Sequence, residues 1–123
     1  MKHYTGIDII EISRIKLAMA RWGERFLRRI YTEAELQICR NKPQALAVRF
    51  AGKEAIMKLL GTGVRGVCWR DIEILAHPTG KPLINLYGGA LKQSRRLCLS
   101  DIAISLSHSN EYAVASVFST ARG

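Results

Sequence analysis

The stretch from Leu46 to Leu60 constrains this fold more than any other part of the chain. Wound at ~100° per residue, it carries apolar side chains on nearly every side. Leu46, Phe50, Met57 and Leu60 form one stripe, and Val48, Ala55 and Leu59 face roughly the other way. A helix apolar almost all round belongs in an interior, so the rest of the chain must wrap it. Yet a narrow strip of Ala47, Ala51, Glu54 and Lys58 runs between the stripes. An ionised carboxylate there is costly unless it is paired or holds a metal. Flanking alanines would let something large approach it closely. The same spacing also fits an ordinary Glu54–Lys58 pair on a solvated face, worth a few tenths of a kcal/mol.

With 123 residues the chain is long enough for one real core and too short for two, so a single domain over 1–123 is expected. No apolar run approaches the ~20 residues needed to cross a bilayer. Met1 to Asp8 lack the apolar core and cleavage site of a signal peptide. Cys39, Cys68 and Cys98 are odd in number, widely spaced and without a Cys-x-x-Cys pair. That pattern points to free thiols in a reducing cytoplasm rather than to disulfides or a zinc site. The net charge of +9 favours an acidic partner: nucleic acid, a membrane surface, an acidic protein or a phosphorylated ligand.

Short-range signals place the elements. Tyr4 to Ile12 is rich in isoleucine and reads as a strand, passing into a helix that opens near Ser13 and breaks at Gly23. Thr32 with Glu35 forms a capping box that starts a short helix over Glu33 to Cys39. Pro43 opens the long helix and Gly61-Thr62-Gly63 stops it. Asp71 to Ala76 and Pro82 to Leu86 read as strands around a Pro78-Thr79-Gly80 turn, followed by a basic helix over Ala90 to Leu97. Alternation from Ile102 to Ser107 and the apolar run Tyr112 to Phe118 predict a closing hairpin. Helices crowd the first half and strands the second, which favours an α+β fold.

Asp8 and Glu54, far apart in the chain and each in apolar surroundings, are a natural pair for a magnesium ion. That ion typically takes one or two carboxylates and fills its remaining positions with water and phosphate oxygens. Lys58, one turn after Glu54, is placed to neutralise a phosphate. His108 at a strand end suits either a structural role or hydrogen bonding to phosphate. Arg14, Arg21 and Arg25 share a face if the helix continues past Gly23, and they form either a solvated face or a dock for an acidic helix or phosphate backbone. No Walker-type loop, dinucleotide glycine fingerprint or His-x-x-x-His pair is present.

Taken in order, these segments resemble the holo-acyl-carrier-protein synthase family, the small type of 4′-phosphopantetheinyl transferase. The resemblance rests on Gly6-Ile7-Asp8 through Ile15, Arg25-Phe26 through Leu36, Ala47 through Ala55 with Lys58, and Gly61-Thr62-Gly63. It continues with Asp71-Ile72-Glu73-Ile74, Gly80-Lys81-Pro82, Ser105 through Ser109, and Glu111-Tyr112-Ala113. Tyr4 and Gly52 depart from the pattern, and Gly52 in mid-helix costs ~1 kcal/mol against alanine.

The resemblance implies an antiparallel sheet packed against the long helix and a homotrimer with sites at subunit boundaries. It implies transfer of the 4′-phosphopantetheine arm of coenzyme A onto a serine of apo-acyl carrier protein, releasing adenosine 3′,5′-bisphosphate, in fatty acid biosynthesis. By position, Asp8 and Glu54 would hold magnesium and Lys58 would contact the reacting phosphates. Arg49, His108, Gly61-Thr62-Gly63 and Gly80-Lys81-Pro82 would line the coenzyme A pocket. Arg14, Arg21 and Arg25 would dock the acidic carrier. Glu54, a metal-bound water or Glu35 could each take the serine proton. A basic nucleic-acid-binding protein is the main rival, but it leaves the paired carboxylates without purpose, and only 7% of residues are aromatic for stacking. A family member reduced to a scaffold is the third reading, and the intact Asp8, Glu54 and Lys58 argue against it.

Overall fold

The computed structural model describes residues 1–122. Strand β1 (Lys2–Glu11) leads into helices α1 (Ile12–Trp22), α2 (Glu24–Ile30), α3 (Glu33–Cys39) and α4 (Pro43–Leu60). A 3-10 turn over Trp69–Asp71 precedes β2 (Ile72–Ala76) and β3 (Pro82–Leu86). Helix α5 (Gly88–Arg96) and strands β4 (Ala103–His108) and β5 (Tyr112–Ala121) complete the order. The strands form two antiparallel sheets, one ordered β1-β5-β4 and the other the hairpin β2-β3. This is the expected α+β arrangement, with α4 as its axis.

Local chemistry explains most boundaries. The Thr32 hydroxyl accepts the Glu35 N–H at 3.2 Å while Glu35 accepts the Thr32 N–H at 2.8 Å, completing the capping box of α3. Pro43 opens α4, where its missing N–H costs nothing, and Gly61 closes it in the left-handed conformation at φ 76°. Gly23 separates α1 from α2 with φ 52° and ψ −130°, a conformation that only glycine adopts readily. The start of α1 departs from expectation: Glu11, not Ser13, is the N-cap, and no side chain caps the helix. Instead the Ile12 N–H donates to the Glu111 carbonyl at 2.8 Å, so the hairpin end of the sheet supplies the acceptor. β1 and β5 also run longer than their local patterns suggest, because they pair with each other from Lys2↔Ala121 to Glu11↔Tyr112.

Sheet β1-β5-β4 lies directly on α4, and small side chains allow the close approach. Helix α4 packs on β5, and Ala51 and Ala55 on the helix and Ala113 and Ala115 on the strand are all fully buried. Gly6 on β1 goes further: a Cβ there would overlap the Ala55 carbonyl oxygen. The large group that the helix alanines admit is thus the protein's own sheet. No helix among the described residues is long and apolar enough to cross a membrane, and Cys39, Cys68 and Cys98 are free.

Candidate active site

The alternation of β1 runs opposite to its apolar pattern. Ile7 and Ile9 are each 63% exposed, while Asp8 between them turns inward beside α4, its side chain 11% exposed. A strand's faces alternate strictly, so once Gly6 is pressed against α4, Asp8 must face the same helix. There it meets Glu54. Burial first, then the charge and hydrogen bonding of Asp8, push the Glu54 carboxyl above its ordinary pKa, while Lys58 and Arg14 pull it down. The two acids predicted to meet are therefore neighbours within one chain.

Lys58 does not form the ordinary pair with Glu54 along the helix. Its Nζ reaches across to β1, donating to the Ile7 carbonyl at 2.9 Å and to Asp8 Oδ1 at 3.1 Å. The cluster is thus two facing carboxylates with an ammonium against one of them and Arg14 close enough to be felt. Among the described residues no group of three or more His, Cys, Asp or Glu gathers, and two carboxylates suit magnesium, which keeps positions for water and phosphate.

A second group of expected residues gathers at the other end of α4. Arg49, Gly80, Lys81 and Pro82 line one cleft of about 510 Å³ together with Leu75, Ala76 and the β4 residues Ile104, Ser105 and Leu106. Arg49 is 8% exposed, and its Nε donates to the Ile74 carbonyl at 2.8 Å and its Nη1 to the Ala45 carbonyl at 3.2 Å. His108 and the Gly61-Thr62-Gly63 turn lie outside this cleft. His108 ends β4 in an exposed position with Nδ1 3.3 Å from the Ser109 carbonyl. Gly61-Thr62-Gly63 follows α4 one turn beyond Lys58.

The arginine face is divided by the bend at Gly23. Arg14 and Arg21 flank a small hollow with Leu17, Ala18 and Trp22. Arg25 stands instead beside Arg29 at an apolar cavity of about 490 Å³ floored by Phe26, Ile30, Phe50 and Trp69. The rings of Phe50 and Trp69 stack there at 4.8 Å.

One charged centre escaped the sequence reading. Lys53 is fully buried and donates to Glu35 Oε1 at 2.8 Å, to the Trp69 carbonyl at 3.1 Å and to the Ile72 carbonyl. Glu35 is equally buried and also accepts the Ile74 N–H at 2.9 Å. Glu35 is therefore sealed from any substrate, which removes it as acceptor of the serine proton. The sequence signal for this pair is a lysine inside an all-round apolar helix, one residue before Glu54.

Comparisons with known proteins point to one family. The model of the 4′-phosphopantetheinyl transferase superfamily matches residues 4–117. The holo-[acyl-carrier-protein] synthase of Dehalococcoides mccartyi is 52% identical over 114 residues, covering 93% of this chain and 95% of the relative. That of Herpetosiphon aurantiacus is 47% identical over 120 residues, covering 92% and 94%. Among solved structures, the Helicobacter pylori synthase in complex with coenzyme A superposes with a TM-score of 0.86 at 32% identity, covering 94% of this chain and 99% of that one. The Bacillus anthracis synthase in complex with CoA (3′,5′-ADP) does so with a TM-score of 0.79 at 33% identity, covering 97% and 96%. With its fold and nearly its whole length in common with these proteins, the chain belongs to the holo-[acyl-carrier-protein] synthases of the 4′-phosphopantetheinyl transferase superfamily.

Proposed function

We propose that the chain carries out its family's reaction at the Asp8–Glu54–Lys58 cluster. It transfers the 4′-phosphopantetheine group from coenzyme A to a serine of apo-acyl carrier protein and releases adenosine 3′,5′-bisphosphate. The observation that carries this assignment of the site is the meeting of Asp8 and Glu54 across 46 positions of sequence (54 − 8), with Lys58 bridging to the same strand.

Asp8 and Glu54 would hold magnesium, and their mutual repulsion is what a cation between them relieves. Bound there, the ion supplies neutralisation of the diphosphate oxygens. Lys58 is 56% exposed at its side chain and free to turn from the Ile7 carbonyl toward a phosphate oxygen. Arg49 and Lys81, in the cleft with Gly80 and Pro82, supply fixed positive charge for the remaining phosphates. His108 and Gly61-Thr62-Gly63 line the coenzyme A pocket as well, the latter just beyond Lys58 at the end of α4. The serine Oγ forms a bond to the pantetheine-side phosphorus as the bridging P–O bond breaks. Adenosine 3′,5′-bisphosphate leaves with that oxygen, and the serine proton passes to a base at the acidic pair, either Glu54 or a water beside it.

The exposed outer face of β1-β5-β4 supports a homotrimer. Ile7 and Ile9 share it with Tyr112 and Phe118, each 44% exposed, in a register that sets all four on one side. Apolar residues grouped in this way mark an association surface. Arg14, Arg21 and Arg25 on α1 and α2 dock the acidic carrier and bring its serine toward Glu54, which already feels the Arg14 charge.

Incubation with coenzyme A, magnesium and apo-carrier protein tests the assignment: the carrier gains ~340 Da, one phosphopantetheine in phosphodiester linkage. Glu54→Ala abolishes that gain. Near-normal transfer by the variant would overturn the placement of the site at Glu54.

A further inference from the structure

Strand β2 has a partner on one side only. It pairs with β3 through Ile72↔Leu86, Glu73↔Asn85 and Ile74↔Ile84, and its other edge faces the interior with no strand beside it. Buried backbone groups without partners are costly, so something else must satisfy that edge. Three ionisable side chains do so. Lys53 donates to the Ile72 carbonyl, Glu35 Oε2 accepts the Ile74 N–H at 2.9 Å, and Arg49 Nε donates to the Ile74 carbonyl at 2.8 Å.

Glu35, like Lys53, is held by three hydrogen bonds. Its second oxygen, Oε1, accepts from Lys53 at 2.8 Å and from the Thr32 N–H at 2.8 Å, and the side chain has no exposure to water. The N–H and carbonyl of one strand residue point the same way. Fixing the Ile74 N–H therefore fixes the direction of the carbonyl that carries Arg49. Arg49 is thereby set in the cleft with Lys81 and Ser105, with its remaining donors available to an anion.

We propose that Glu35 is a positioning residue for coenzyme A: through the Ile74 backbone it sets the angle at which the Arg49 guanidinium meets the ligand's phosphates. This inference rests on the reading of the Arg49 cleft as the coenzyme A pocket. It accounts for a buried carboxylate that touches no substrate yet joins α3, α4 and β2 at a single point. The coupling runs through two hydrogen bonds and one residue's backbone.

The test compares three variants of the full chain: Glu35→Leu/Lys53→Met, which removes both buried charges together and leaves the Ile74 N–H without its acceptor, Glu35→Asp, and Arg49→Met. Steady-state constants for coenzyme A and for apo-carrier are measured, with hydrogen exchange of the Arg49 Nε–H followed by NMR. In the double variant, KM for coenzyme A rises about tenfold, while kcat and KM for carrier stay within about twofold. The Arg49 Nε–H exchanges faster. Should the double variant not fold, Glu35→Asp keeps the charge beside Lys53 while withdrawing the carboxylate from Ile74, and it carries the same readouts. Unchanged KM for coenzyme A and unchanged Arg49 exchange, with Arg49→Met still raising that KM, overturn the role of Glu35. Equal losses for both substrates mark a merely structural role and overturn it too. An Arg49→Met variant with normal KM for coenzyme A instead refutes the reading of the cleft itself.

Discussion

Lys58 Nζ lies 3.1 Å from Asp8 Oδ1, joining two residues 50 positions apart, and passes over the nearer Glu54 on its own helix. That choice leaves Glu54 half-buried against another acid, with its carboxyl pKa raised first by burial and then by Asp8. A strained pair of this kind is poorly suited to a structural role and well suited to a cation.

Glu54→Gln should therefore separate stability from function. An acid with a raised folded pKa loses stability as pH climbs from its unfolded value of 4.5 through the folded one. At neutral pH the variant melts no lower than the parent protein when magnesium is absent. Added magnesium raises the melting temperature of the parent but not of the variant. Turnover falls by about two to three orders of magnitude. Thermal melts with and without the ion check the first two statements and transfer assays the third.

Gly6→Ala should be among the most damaging single substitutions outside the acids. Its Cβ would overlap the Ala55 carbonyl oxygen, a backbone atom that cannot swing aside. Lifting β1 from α4 costs about 3 kcal/mol and draws Asp8 away from Glu54. Urea unfolding reports the first effect, and a weakened magnesium-dependent thermal shift the second.

Lys53→Ala leaves Glu35 buried without its counter-charge and should cost about 3–5 kcal/mol. Replacing both partners by Met and Gln costs clearly less, because no lone charge remains in the interior. Denaturation midpoints of the two variants decide between a paired and a dispensable lysine.

Glu73 sets an acid limit on stability. Burial pushes its pKa up, but hydrogen bonds from Thr32, Asn85 and Tyr87, with the Lys53 charge, together outweigh that and hold it below 4.5. A depressed carboxylate contributes fully above its unfolded pKa, and the contribution is lost as pH falls through the folded value. Below pH 4.5 the parent protein should lose melting temperature more steeply than Glu73→Gln, as a series of melts would show.

Charge reversal on the α1–α2 surface probes carrier docking. Arg21→Glu and Arg25→Glu should weaken carrier binding in a salt-dependent way and spare coenzyme A. Arg14→Glu should in addition disturb the acidic pair, because Glu54 feels the Arg14 charge. Titrations of each ligand at two ionic strengths distinguish the three arginines. A loss of coenzyme A affinity with carrier affinity intact at Arg21 or Arg25 would contradict the docking role.

Much of the site was legible in advance because its members sit on elements with strong local signals. Glu54 and Lys58 lie on a helix announced by Pro43 and Gly61, and Gly80-Lys81-Pro82 on a turn that its composition declares. The outward facing of Ile7 and Ile9 was not legible. An isoleucine-rich strand reads as buried, and only the wedge of Gly6 against Ala55 shows which face turns in. The Lys53–Glu35 pair was equally hidden, because Glu35 already had a complete local explanation as a capping-box residue.

Sequence alone determined the element order, the long central helix and the kinds of side chain available for chemistry. Those follow from interactions spanning a few residues: caps, turn glycines and hydrophobic period. Tertiary structure alone decided which acids meet, which lysine is buried and which arginines share a cleft. Such outcomes depend on how closely β1 packs on α4 and on what satisfies the open edge of β2, and packing of that kind joins residues that no local pattern connects.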